Sequence, residues 1–219
     1  TFILSVSSGF LIREHIKFKQ SYSLLLFLIT YLIAIHTWPI IMSTSNAMRQ
    51  GLAMSFIFMA LIANSRKSYY WMIIFSFVAI FMHKSGLLLA MIVVFSSILN
   101  SLIVSFSHKT KIIINFIIGS FLFIASYFVL GALGKFVFSD EGTRIVGGDF
   151  RWAFALISII YITLSFFYRN ILSNSFNLSL YYFSFISPSF LMTGLNWEYE
   201  RLGMMMIIPC IVSLLLLYF

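Results

Sequence analysis

Charge is what this sequence has least of. Charged residues make up 9% of the 219, and only six of those are acidic. Soluble domains carry about a quarter charged residues, so a soluble globular fold is excluded. There is one cysteine, Cys210, and it lies inside an apolar run, which rules out an internal disulfide and a thiolate metal site. No block of five or more Lys and Arg occurs, so the formal charge of +8 reads as topogenic charge spread over loops, not as a nucleic-acid surface. A glycine-rich phosphate loop, a nucleophile elbow and a His/Glu pattern suited to zinc are all missing as well. No cofactor and no metal is expected.

What remains is hydrocarbon. Hydrophobic residues make up 61% of the chain, and the mean hydropathy is +1.03. The apolar runs have helix length and lack the strict alternation of a barrel strand, which predicts an all-α, polytopic transmembrane bundle. Residues 1–219 read as one integral membrane domain. The chain opens on Thr1, with no charged n-region or cleavage site, which suggests a piece of a longer chain whose first run, Thr1–Leu11, is cut short. About eight full spans follow this partial one: Tyr22–Met42, Ala47–Ala63, Tyr69–Met82, Gly86–Phe106, Ile112–Leu133, Trp152–Tyr168, Leu180–Leu195 and Gly203–Phe219. Pro39 breaks the first of these near its end, and Pro188 interrupts the seventh.

Lys and Arg bias sets the orientation. One set of alternate loops holds Arg13, Lys17, Lys19, Arg66, Lys67, Lys109, Lys111 and Arg169 against a single acid, Glu14. The other set holds six basic residues and the remaining five acids. The first set is expected in the cytoplasm and the second outside. Every mixed-charge cluster therefore falls on the outer face, where neither ATP nor a nucleotide sugar is available.

Four outer clusters could carry chemistry. Arg49-Gln50 opens a span, and a guanidinium beside free helix N–H groups suits a phosphate; an arginine there also snorkels to headgroups. His83-Lys84 lies in a very short turn, where the imidazole could serve as general base and Lys84 could hold an anionic phosphate. The stretch Gly134–Arg151 mixes three acids with three bases, and Arg151 stands at its junction with the next span. Last, Glu198 and Glu200 flank Tyr199 beside Trp197 and Arg201, a combination used for sugars but equally an interfacial aromatic belt.

The order of these residues is what carries a resemblance. Ala47-Met-Arg49-Gln50-Gly51-Leu-Ala53, a span, a basic turn, a second span and Phe81-Met-His83-Lys84-Ser85-Gly86-Leu87 resemble the EpsG-like branch of the Wzy-type polysaccharide polymerases, over about a fifth of the chain. The resemblance implies a bacterial inner-membrane glycosyltransferase joining oligosaccharide repeat units carried on undecaprenyl pyrophosphate into O-antigen, capsule or exopolysaccharide. It casts Arg49 as a pyrophosphate clamp, with Gln50, Lys84, Arg151 and Arg201 as further substrate contacts, and His83 and Glu198 as candidate bases. The expected partners are the lipid-linked oligosaccharide, the bilayer, and a chain-length regulator and flippase of the same pathway. A flippase or transporter for the same lipid, or a ligase using the same donor, is the alternative reading. A transporter would need polar groups at mid-depth, and the span interiors are nearly uncharged.

Overall fold

A computed structural model of the chain describes residues 6–7, 9–11, 28, 31–32, 48–83, 85–137, 150–193, 206–211 and 213. Every regular element among them is helical, with no strand. The expected span Tyr22–Met42 falls almost wholly outside these residues, and so do the first run and the last span apart from short helical pieces.

Six helices follow in order: α1 (Met48–Ser65), α2 (Tyr69–Met82), α3 (Ser85–Ile103), α4 (His108–Val137), α5 (Phe150–Phe167) and α6 (Ser175–Thr193). A short 3-10 turn, Arg169–Leu172, joins the last two. Two segments, Gly86–Ile103 in α3 and His108–Phe128 in α4, are long and apolar enough to cross a membrane. α2 is the shortest helix, and its 14 residues reach only about 21 Å at 1.5 Å per residue. α4 has 30 residues and extends to about 45 Å.

Local chemistry explains where these helices begin and end. α1 stops in a Schellman turn: the Ser68 N–H donates to the Ala63 carbonyl (2.9 Å) and the Lys67 N–H to that of Asn64 (3.0 Å). Lys67 takes the left-handed position, φ 58°, which glycine usually fills. Replacing it with Gly should stabilise the fold by about 0.5–1 kcal/mol, the strain of a Cβ there offset in part by a looser unfolded chain. A higher unfolding temperature for Lys67→Gly checks this; an unchanged or lower one contradicts it.

Caps also move two boundaries away from what the sequence suggests. Ser107-His108-Lys109-Thr110-Lys111 reads as a polar loop, yet Ser107 caps α4. Its Oγ accepts from the Thr110 N–H (3.3 Å) and its carbonyl from the Lys111 N–H (2.9 Å), so His108–Lys111 form the first helical turn. Asn174 does the same for α6, its Oδ1 accepting from the Phe176 N–H at 3.0 Å. The helix therefore starts at Ser175, five residues before the expected span Leu180–Leu195. Pro188 is contained within α6 and does not end it. The outer polar stretch is also shorter than its composition suggests, since α4 continues through Gly134–Val137 and α5 begins at Phe150.

α6 is the centre of the bundle and packs against α1, α3, α4 and α5. From Phe176 to Ser187 every residue on it is buried, on all sides of the helix. Within a largely apolar interior, several small polar side chains are buried while large apolar ones face outward. Ser179, Ser184, Ser187 and Ser189 are fully buried on α6, while Tyr70, Phe81 and Phe167 on other helices are 70%, 71% and 76% exposed. Burial is 44% over the α3 segment and 11% over the α4 segment, which puts α4 at the rim.

Hydroxyls and amides tie α6 to its neighbours. Ser175 Oγ donates to Asn64 Oδ1 on α1 (3.0 Å), and Ser96 of α3 and Ser179 share a hydrogen bond at 2.5 Å. Tyr182 Oη donates to Asn115 Oδ1 on α4 (2.5 Å), and Ser126 of α4 pairs with Ser189 (2.5 Å). In an apolar surround such bonds, with close packing of small side chains, hold helices together. Gly119 shows the close packing, because a Cβ there would lie 2.6 Å from the Phe185 ring. The Tyr182→Phe variant should lose about 1 kcal/mol, since Asn115 Oδ1 then loses its donor. Unfolding in detergent measures this, and an unchanged midpoint would show that the bond contributes nothing.

Candidate functional site

The hairpin α1–α2 brings the two halves of the sequence motif to one end. α1 begins at Met48-Arg49-Gln50, descends to the turn at Arg66-Lys67, and α2 returns to Met82-His83. Its arms pack along their length, with the Phe56 and Phe75 rings stacked at 6.5 Å.

Arg49 is exposed in the first turn of α1, whereas Gln50 is only 7% exposed and turns into the bundle. This combination suits anion recognition. The helix start supplies N–H groups without intrahelical partners and a positive partial charge, and the guanidinium adds a planar fork of donors. One turn deeper, Ser55 Oγ donates back to the Gly51 carbonyl at 2.9 Å, so that hydroxyl is already engaged.

His83 is the C-cap of α2, with extended backbone (φ −160°, ψ 144°) and its N–H donating to the Ala79 carbonyl at 3.2 Å. Its own carbonyl accepts from the Gly86 N–H at 2.8 Å, which closes the turn between α2 and α3. The half-buried imidazole is thus carried on backbone fixed from both sides. Gly86 is indispensable to that turn. A Cβ at this position would lie 2.2 Å from the Ala79 carbonyl oxygen, so the start of α3 passes directly over the last turn of α2. Sequence reading had given this glycine no role.

Arg151 is the second residue of α5, a helix residue and not a loop residue. Tyr161 on α5 reaches the Asn177 carbonyl near the start of α6 (3.4 Å), so the opposite end of α5, with Arg151, points toward the end holding Arg49 and His83. Lys84, Glu198 and Arg201 lie outside the described residues, as do Asp140, Glu141, Arg144 and Asp149. Among the described residues no group of His, Cys, Asp or Glu could hold a metal ion.

The sequence reading missed the buried polar column on α6. Ser175, Ser179, Tyr182 and Ser189 recur at intervals of four, three and seven, a helical stripe visible in principle. Cys210 belongs to the same interior: it lies 2.9 Å from Ser184 Oγ and donates to the Leu180 carbonyl at 3.3 Å, the behaviour of a packed thiol.

Compared with family models, curated proteins and solved structures, the chain matches none.

Proposed function

We propose that the chain is a multi-pass protein of the bacterial inner membrane that polymerises undecaprenyl-pyrophosphate-linked oligosaccharide repeat units on the outer face. On this reading the described helices belong to a bundle of about eight spans. The observation that carries the proposal is the hairpin. The Arg49-Gln50 and His83 ends of the motif lie at the same end of the hairpin, opposite the basic turn Arg66-Lys67, and the intervening arms are apolar outside and packed inside.

The chemistry is glycosyl transfer. An acceptor hydroxyl oxygen bonds to the anomeric carbon of the donor's first sugar, the bond from that carbon to the pyrophosphate oxygen breaks, and undecaprenyl pyrophosphate departs with the electron pair. The leaving group is already good, so the protein needs to neutralise charge developing on it and remove the hydroxyl proton. Arg49 would do the first, with Gln50, Lys84, Arg151 and Arg201 as further contacts to the donor. His83, or Glu198, would do the second, a contribution of about 10²–10⁴-fold.

Deleting the gene in its own host separates this from its rivals. Single lipid-linked units should accumulate on the outer face, unpolymerised. Units trapped inside would instead identify a flippase, and full-length polymer left on undecaprenyl pyrophosphate and never joined to its final acceptor would identify a ligase. An unaltered polymer ladder would refute all three.

A further inference from the structure

The opposite end of the bundle carries a second feature. Three turns meet there, and hydrogen bonds fix their level. From the Tyr182–Asn115 bond, seven residues lead back to Ser175 on α6 and seven to His108 on α4, and Ser175 itself bonds Asn64 at the foot of α1. At 1.5 Å per residue the α1–α2, α3–α4 and α5–α6 turns therefore lie in one layer. That layer holds Arg66, Lys67, Lys109, Lys111 and Arg169. None of the six helices contains an Asp or Glu, and Lys67 and Lys109 are exposed.

Two of these lysines oppose local helix stability. Lys109 and Lys111 stand in the first turn of α4, where the macrodipole disfavours a cation. Lys111 Nζ donates to the Val104 carbonyl at 3.0 Å, just past the end of α3, but Lys109 is exposed. At the seam of the same layer Asn64 is 1% exposed, and its Nδ2 has no hydrogen-bond partner. Beside the cations, Tyr69, Tyr70, Trp71 and Tyr168 are exposed, a belt of amphipathic rings of the kind that sits at headgroup depth. Beyond it the walls are apolar, with Ile73 and Ile113 each more than half exposed.

We infer that this layer is a docking surface for anionic phospholipids, with phosphodiester headgroups on the cations and acyl chains along the α2 and α4 walls. The inference rests on the membrane reading above, though not on the enzymatic one. A lipid is the fitting occupant because charge and apolar wall are contiguous; a free anion would use only the first.

The test uses the purified protein in nanodiscs of phosphatidylcholine mixed with phosphatidylglycerol, with retained lipids counted by native mass spectrometry. Wild type should strongly prefer phosphatidylglycerol at matched composition, and the Lys67→Gln/Lys109→Gln variant should lower that preference by roughly 25-fold, because each cation near the surface contributes on the order of fivefold in binding. The preference should fall with added salt but survive millimolar inorganic phosphate. Equal retention of both lipids by wild type, an unchanged preference in the variant, or full competition by inorganic phosphate would each overturn the inference. A wild-type protein that fails to enter nanodiscs and stays soluble without detergent would instead overturn the membrane reading on which it rests.

Discussion

Gly86→Leu should lower stability by about 2–3 kcal/mol and abolish activity, while Leu87→Ala, one residue along on an exposed position, should change stability by less than about 0.5 kcal/mol. The reason is geometric. Even the first carbon of a side chain at residue 86 would fall 2.2 Å from the Ala79 carbonyl oxygen. That oxygen is backbone and is already committed to the His83 N–H, so no rotamer change relieves the clash. The two helices would have to separate, and the turn that carries His83 would be remade. Thermal unfolding in detergent, read alongside the polymer ladder, checks both halves. A Gly86→Leu protein as stable as wild type would mean that the α2–α3 approach is looser than described.

Arg49→Ala should have the largest effect on chemistry and almost none on folding. Arg49 is exposed and lies in the first helical turn, so truncation leaves no buried cavity and no stranded partner among the described side chains. Removing one preorganised charge that stabilises a leaving group typically costs about 10²–10³ in rate. Arg49→Lys keeps the charge but loses the two-pronged geometry, and should fall between, roughly tenfold below wild type. Polymer length and yield at matched protein level measure this series. If Arg49→Ala polymerises normally, the residue is an interfacial anchor and the phosphate-clamp assignment is wrong. The same host can test His83→Ala, whose cap hydrogen bond is made by backbone and survives the substitution.

How much of this could be read from the chain follows from the solvent. α2 runs from Tyr69 to Met82, the run marked by its flanking Ser68 and His83, because a dense apolar segment between polar turns leaves little choice of boundary. α1 follows the expected span Ala47–Ala63 closely but continues through Asn64 and Ser65, polar residues that its Schellman turn places inside the helix. α6 was harder: Asn174, Ser175, Asn177 and Ser179 look like a polar turn, yet they cap and line the most buried helix. In a bundle whose outside is apolar, small polar residues signal the interior, so the usual reading of serine as surface fails. Lys109 and Lys111 misled in the opposite direction, since charge suggested a loop where Ser107 starts a helix. Within the candidate site, the common end of Arg49, Gln50 and His83 followed from hairpin spacing alone. The role of Gly86 did not, because it depends on one carbonyl seven residues earlier that becomes a neighbour only when α2 and α3 pack.

The central claim is that this protein makes glycosidic bonds between lipid-linked repeat units, and purified protein tests it most directly. Reconstituted in lipid and supplied with synthetic undecaprenyl-pyrophosphate-linked repeat units, it should yield products of two or more units and release undecaprenyl pyrophosphate in step with each new linkage, and Arg49→Ala should suppress both. Recovery of the starting units unchanged, from folded protein given both donor and acceptor ends, would contradict the account.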